Sequence, residues 1–137
     1  MEYTFSYIKP TAVRNRHIGD ILNMIENAGF DILSIKKTAF TTKLAEQFYA
    51  EHKGKDFFER LIEHCLSGSV VALILEKENA IEDFRTLIGN TTPSKAKKGT
   101  IRAKYGETVT FNAIHGSDST SSAKRESQFF FSNLERF

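Results

Sequence analysis

In the run FNAIHGSDSTSSAKRE, residues 111–126, His115 sits between an apolar pair and a cluster of small polar residues that reads as the start of a helix. Three chemistries suit an imidazole there: packing in the core with one satisfied hydrogen bond, metal ligation, or service as a base or nucleophile. A histidine taken at random is most often of the first kind. Its surroundings favour the third. Gly116 permits close approach of a ligand, and Ser117, Asp118 and Ser119 gather hydroxyls, a carboxylate and helix-start amides in one place. Glu126 falls two turns into the helix, within reach of one ring nitrogen; an imidazole held on one side has its other nitrogen free to act. Metal ligation fails on spacing, because His17, His52, His64 and His115 form no H-x-x-x-H pair and Cys65 has no C-x-x-C partner.

The second chemical feature is a local excess of positive charge. The net charge of +2 is too small to imply nucleic-acid binding by itself. Between Gly89 and Ala113, however, Lys95, Lys97, Lys98, Arg102 and Lys104 face only Glu107. Most of these lysines read as solvated loop residues. Arg102 differs in kind, since a guanidinium forks two donors onto phosphate oxygens where an ammonium offers a point charge. Arg85, next to Phe84, reads either as a second fork or as a solvent-facing helix residue. No G-x-x-x-x-G-K-[ST], G-x-G-x-x-G, H-R-D or D-F-G sequence occurs, so any bound nucleotide is held by side chains rather than by a glycine cradle.

These residues need a scaffold, and a chain of 137 residues that is 40% hydrophobic fits one domain, 1–137, with one core. The amino-terminal segment MEYTFSYIKP has no signal-peptide pattern, and VVALIL is too short to span a bilayer. A lone cysteine in LIEHCLSG fits a reducing cytoplasm. YTFSYI alternates as a strand that ends at Lys9-Pro10. Ile18, Ile21, Leu22 and Ile25 recur at helical spacing up to Gly29. FDILSIKKTAF predicts a second strand, and Thr41-Thr42 caps a helix through about Glu51. Asp56 and Glu59 resemble a capping box for a helix closing at Gly68. VVALIL lacks polar alternation and predicts a strand covered on both faces at the middle of the sheet. Asn79 caps a helix ended by Gly89. From Asn90 to Phe111 the pattern fades into a long basic loop, a length more often functional than merely connecting. NAIHG is the short last strand, and Ser119 or Asp118 caps the final helix. The order predicts an α+β fold: a ferredoxin-like sandwich whose four-stranded antiparallel sheet carries packed helices.

Taken together, NAIHGSDS, YIKP, FYAEHKGKDFF, GNTTP and KGTIR resemble, in the expected order, segments of the nucleoside diphosphate kinases, and the first resembles that family's N-x-x-H-G-S-D-[ST] signature. The resemblance covers the whole chain. It implies that His115 accepts the γ-phosphate of a nucleoside triphosphate and passes it to a diphosphate in ping-pong fashion, maintaining non-adenine nucleotide pools. Glu126 would hold the ring with help from Ser117. Lys9, Tyr49, Arg85, Thr91 and Arg102 would surround the phosphates, and Asn112 with Lys9 would bind the sugar hydroxyls. Phe57 would stack on the base, with Leu61 and Val109 lining the slot. Magnesium would bridge the nucleotide phosphates, with no dedicated protein cage. The family also implies a homo-oligomer, tetramer or hexamer, and the first strand and helix are expected to supply the apolar contact surface.

The chain departs from the family pattern at Thr11, where many members have aspartate, and at Thr92, where asparagine or aspartate is usual. It ends at FFFSNLERF, without the long extension of many eukaryotic members, which suggests a bacterial-type chain. An RNA-recognition module shares the predicted strand order, with Tyr3, Phe5 and Tyr7 as a conceivable stacking surface. The K/R-G-F/Y-G/A-F-V-x-F/Y run of such modules does not occur, so no specific nucleic-acid partner is expected, and no membrane.

Overall fold

The computed structural model describes residues Met1–Phe137. Strands β1 (Glu2–Ile8), β2 (Asp31–Thr38), β3 (Val70–Lys77) and β4 (Ile114–Gly116) form one antiparallel sheet in the order β2-β3-β1-β4. Seven helices accompany them: α1 (Pro10–Arg14), α2 (Ile18–Asn27), α3 (Thr42–Phe48), α4 (Phe58–Cys65), α5 (Ala80–Ile88), α6 (Ile101–Tyr105) and α7 (Thr120–Phe130). This is the expected ferredoxin-like arrangement, with the first and third strands followed by crossover helices.

The period of two explains why VVALIL lacks polar residues. Val71, Leu73 and Leu75 of β3 pack on one face with Ile21, Ile25, Phe84 and Ile88 of α2 and α5, while Val70, Ala72 and Ile74 pack on the other with Phe48, Ile62 and Phe130 of α3, α4 and α7. β1 lies between β3 and β4 and is equally sandwiched, its side chains buried from Thr4 to Ile8. The expected apolar contact surface on the first strand is therefore absent. The exposed large apolar residues include Ile35 on the edge strand β2 and Leu134 and Phe137 in the tail. That tail is tied back to β2 by hydrogen bonds from Phe137 N to Leu33 O and from the Ser34 hydroxyl to Glu135 O.

Several local signals resolve differently from their sequence reading. Pro10 ends β1 but also opens α1, where a missing N–H costs nothing and φ is already helical. The helix expected through Glu51 ends at Phe48 and gives way to a 3₁₀ turn, Ala50–His52. The Asp56–Glu59 capping box does not form: α4 starts after Phe57 with no side-chain cap. Asn79 occupies the cap position of α5 in a left-handed conformation, φ 56°, and its amide bonds Asp83 instead of a helix-start N–H. The long loop contains a 3₁₀ turn at Pro93–Lys95 and the helix α6, capped by Thr100 Oγ1, which accepts from Ala103 N at 3.3 Å.

Candidate active site

β4 pairs with β1 so that His115 lies opposite Tyr7, and period two then sends both side chains toward α3 and α7. The imidazole rests nearly flat on the Tyr7 ring, centroids 5.3 Å apart at 23°, and meets the edge of Phe48 at 5.3 Å. Its backbone is anchored from both sides. The Ser6 hydroxyl donates to His115 O at 2.7 Å, and Lys9 N donates to Ala113 O at 2.8 Å, holding Ala113 at φ 77°, a strained value for a residue with a Cβ.

After β4 the chain turns into α7. Ser119 is the cap, its Oγ accepting from Ser122 N at 3.1 Å, and this aims the helix back across the sheet face that bears the histidine. Glu126 then arrives two turns later, largely buried. Its Oε1 accepts from His115 Nε2 at 2.7 Å and from the Ser117 hydroxyl at 2.7 Å. A carboxylate only accepts, so Nε2 carries the ring proton and Nδ1 keeps its lone pair.

His115 opens onto a cleft of about 1240 Å³. Every expected site residue except Ser117 lines it. Lys9, Tyr49, Arg85, Thr91, Arg102 and Asn112 supply cations and hydrogen-bonding groups, and Phe57, Leu61 and Val109 supply apolar surface from α4 and the segment after α6. Ser117 is fully buried behind Glu126 and touches the cleft only through it. Phe57 and Val109 are exposed.

Arg102 is more than a free fork. It is 9% exposed, and its two terminal nitrogens donate to Gly89 O and Ile114 O, both at 2.9 Å, while Nε is buried without a partner. The guanidinium thus joins α6 to the end of α5 and to β4 while keeping donors in hand. Gly89, at φ 90°, lets Thr100 at the start of α6 come close to the end of α5: a Cβ there would lie 2.5 Å from Thr100 Oγ1. Burial, and then the like charge of Arg85, lower the Arg102 pKa to about 10, so it stays cationic at neutral pH. Asn112 donates through Nδ2 to Thr91 O at 3.1 Å, and its buried Oδ1 has no partner.

Known proteins similar to this chain over almost its whole length place it in one family. The family model for nucleoside diphosphate kinase matches residues 2–136. The chain is 50% identical over 134 residues to the nucleoside diphosphate kinase of Flavobacterium psychrophilum and 52% identical over 135 residues to that of Chlorobaculum tepidum, in each case covering 98% of this chain and 96% of the relative. The chain belongs to the nucleoside diphosphate kinase family. Among solved structures it matches the Aquifex aeolicus nucleoside diphosphate kinase with a TM-score of 0.96 and 41% identity over 99% of both chains. It also matches a halophilic nucleoside diphosphate kinase from Halobacterium salinarum, solved in complex with CDP, with a TM-score of 0.96 and 37% identity over 99% of this chain and 91% of that one. It is a phosphotransferase that binds nucleotides and exchanges the terminal phosphate between tri- and diphosphates.

Against this family background, some site features escaped the sequence reading. Tyr7, read from sequence only as part of an aromatic strand, carries the histidine on its face, and its hydroxyl hydrogen-bonds that of Tyr49. The period-two spacing from Tyr7 to Lys9 was the available signal. Arg60, His52, Lys95 and Lys97 also border the cleft, so two of the lysines read as merely solvated contribute to its field. Gly116 borders the cleft and is also constrained from behind. A Cβ there would lie 2.9 Å from Ile88 Cδ1 and 3.0 Å from Phe84 Cδ2, so the glycine lets α5 pack against β4, where overpacking typically costs about 1–3 kcal/mol. No helix is long and apolar enough to cross a membrane.

Proposed function

We propose that His115 Nδ1 is the phosphoryl acceptor of the exchange. The observation that carries this is the Glu126 carboxylate on Nε2, which fixes the tautomer, orients the ring and offsets the positive charge that develops when Nδ1 forms a bond to phosphorus. Nδ1 attacks the γ-phosphorus, the bond from phosphorus to the β,γ-bridging oxygen breaks, and the diphosphate leaves with that electron pair. A second diphosphate then reverses the step, giving ping-pong kinetics and a route by which one triphosphate replenishes the non-adenine pools. Phosphoryl transfer asks a protein mainly for positioning and charge stabilisation, which Arg102, Arg85 and Lys9 around one cleft supply, with Tyr49 and Thr91 as hydrogen-bonding partners. The unpartnered Asn112 Oδ1 suits a sugar hydroxyl as donor. Phe57, Leu61 and Val109 suit a base held by stacking, worth roughly 1–3 kcal/mol without distinguishing bases. The CDP bound by the halophilic relative is consistent with such a slot.

Magnesium is the implied metal, and the donor set bears on how it is held. No group of three or more His, Cys, Asp or Glu side chains comes together, and the cleft is rich in cations, which fits an ion carried on the nucleotide phosphates. Bound there, it neutralises charge on the transferring group. The whole chain, 1–137, acts as one such domain, in the cytoplasm. The exposed Ile35, Leu134 and Phe137 beside β2 support self-association, for which the family resemblance implies a tetramer or hexamer.

The decisive experiment traps the enzyme with γ-labelled ATP and magnesium and maps the adduct by mass. The expected product is acid-labile, base-stable phosphohistidine at His115. An adduct on another side chain, or none, rejects the assignment.

Lys9 gives the reaction a pH signature. Burial, and then the charge of Arg102, lower its pKa to about 8. Below that pH the ammonium is charged and attracts phosphate; above it the charge is lost. We expect kcat/KM, which reports the free enzyme, to decline as pH rises through about 8, and Lys9→Arg to move that decline to higher pH. A profile flat to about pH 9.5 in the parent enzyme would show that Lys9 stays charged over that range, and an unchanged KM in Lys9→Met would remove it from phosphate binding.

A further inference from the structure

His64 is the one buried histidine outside the reaction, and it joins three parts of the cleft. It sits on α4, 3% exposed, one turn beyond the base-slot residue Leu61. Its Nδ1 lies 3.1 Å from Thr110 O, and its Nε2 lies 2.9 Å from Thr11 Oγ1. The ring also meets Phe111 edge-on at 4.5 Å. A carbonyl only accepts, so Nδ1 carries the proton and Nε2 accepts from the Thr11 hydroxyl. Both ring nitrogens are thus used in one neutral tautomer. Burial first, then the charges of Lys9 and Arg14, hold the pKa near 4, so the neutral form persists at physiological pH.

The partners explain why this matters. Thr110 lines the cleft next to Val109 and two residues before Asn112, whose buried Oδ1 has no partner, and Leu61 lines the same cleft from α4. Thr11 belongs to α1, which begins directly after Lys9. The residues flanking the strut are therefore those that meet base, sugar and phosphate in the reading above, on which this inference rests. Thr11 is also one of the two departures from the family pattern, and here its hydroxyl has a specific use.

We infer that His64 is a positioning residue for nucleotide binding: the Thr11–His64–Thr110 chain fixes the distance between the two walls of the base slot and their register on Lys9. It touches neither phosphate nor His115, so its loss acts on affinity rather than on the chemical step.

Three variants test this. His64→Phe keeps the volume and the packing on Phe111 but loses both hydrogen bonds; Thr11→Val loses only the hydroxyl, leaving Nε2 buried and unpaired; Thr11→Ser keeps the donor. We expect KM for nucleoside diphosphate to rise about fivefold or more in the first two, with kcat at saturation within about twofold, and Thr11→Ser to match the parent. Imidazole ¹⁵N spectra of the parent at neutral pH should give His64 as the neutral tautomer protonated at Nδ1. Should His64→Phe fail to fold, Thr11→Val and the spectra still decide. Unchanged KM in folded His64→Phe or Thr11→Val, a kcat loss equal to the KM change, or an Nε2-protonated tautomer would overturn the inference. Phosphate labelling of His115 in each variant separates the readings: a labelled His115 with unaltered KM defeats the strut alone, whereas a label elsewhere defeats the site assignment.

Discussion

The His115→Ala variant is expected to fold normally, bind nucleotide and lose exchange by at least about 10⁴-fold, because the covalent route disappears with the proposed nucleophile. The geometry separates this loss from a loss of structure. The His115 side chain is partly exposed to the cleft and its backbone bonds, Ser6 Oγ to His115 O and the β1 pairing, do not need the ring. Alanine does leave Glu126 with one donor fewer, but the Ser117 hydroxyl still serves Oε1, and water from the cleft can take the vacated position. The thermal midpoint should therefore move by only a few degrees while exchange, followed with a coupled assay, falls to background. A variant that retains substantial exchange would mean direct transfer between two nucleotides bound together, and would end the ping-pong account.

The ease with which this residue is found in the sequence has a physical basis. Nucleophile, cap and orienting carboxylate lie within one strand-turn-helix, so spacing alone brings them together: His115 and Ser117 share a face by period two, and Glu126 returns on the helix that Ser119 caps. The central strand was equally legible, since burial on both faces leaves no place for polar residues. What the sequence could not give depends on long-range contact. Tyr7 becomes part of the site through its pairing with His115, 108 residues away, and the only local sign of it is its period-two spacing from Lys9. His64 looked like any polar helix residue until Thr11 and Thr110 met it from either side. Gly116 is legible as a glycine beside the cleft, but its second constraint is not, because the atoms that exclude a Cβ come from α5. Local capping signals failed where tertiary packing set the helix start, as at Phe57.

Arg102→Lys tests the proposed guanidinium contact to phosphate, and two effects of different size compete in it. As a donor to the transferring phosphate, the guanidinium acts where charge develops; losing one well-aimed donor of this kind typically costs about 10²–10³ in kcat, or about 2.7–4 kcal/mol. As a structural clamp it bridges Gly89 O and Ile114 O, which a single ammonium on a flexible stem cannot span while also facing the cleft. Each buried carbonyl left unpaired costs about 1–3 kcal/mol, less if lysine reaches one of them. Charge type alone suggests a variant with intact stability; the two carbonyl bonds require a measurable fall in unfolding free energy as well. The catalytic loss should still be the larger. We expect turnover down about 100-fold or more with stability lower by about 1–2 kcal/mol, measured by saturation kinetics and urea unfolding on the same preparation. Equal kcat/KM in variant and parent would show that the two-pronged contact serves the fold alone, and the phosphate would then have to be held by Arg85 and Lys9 without it.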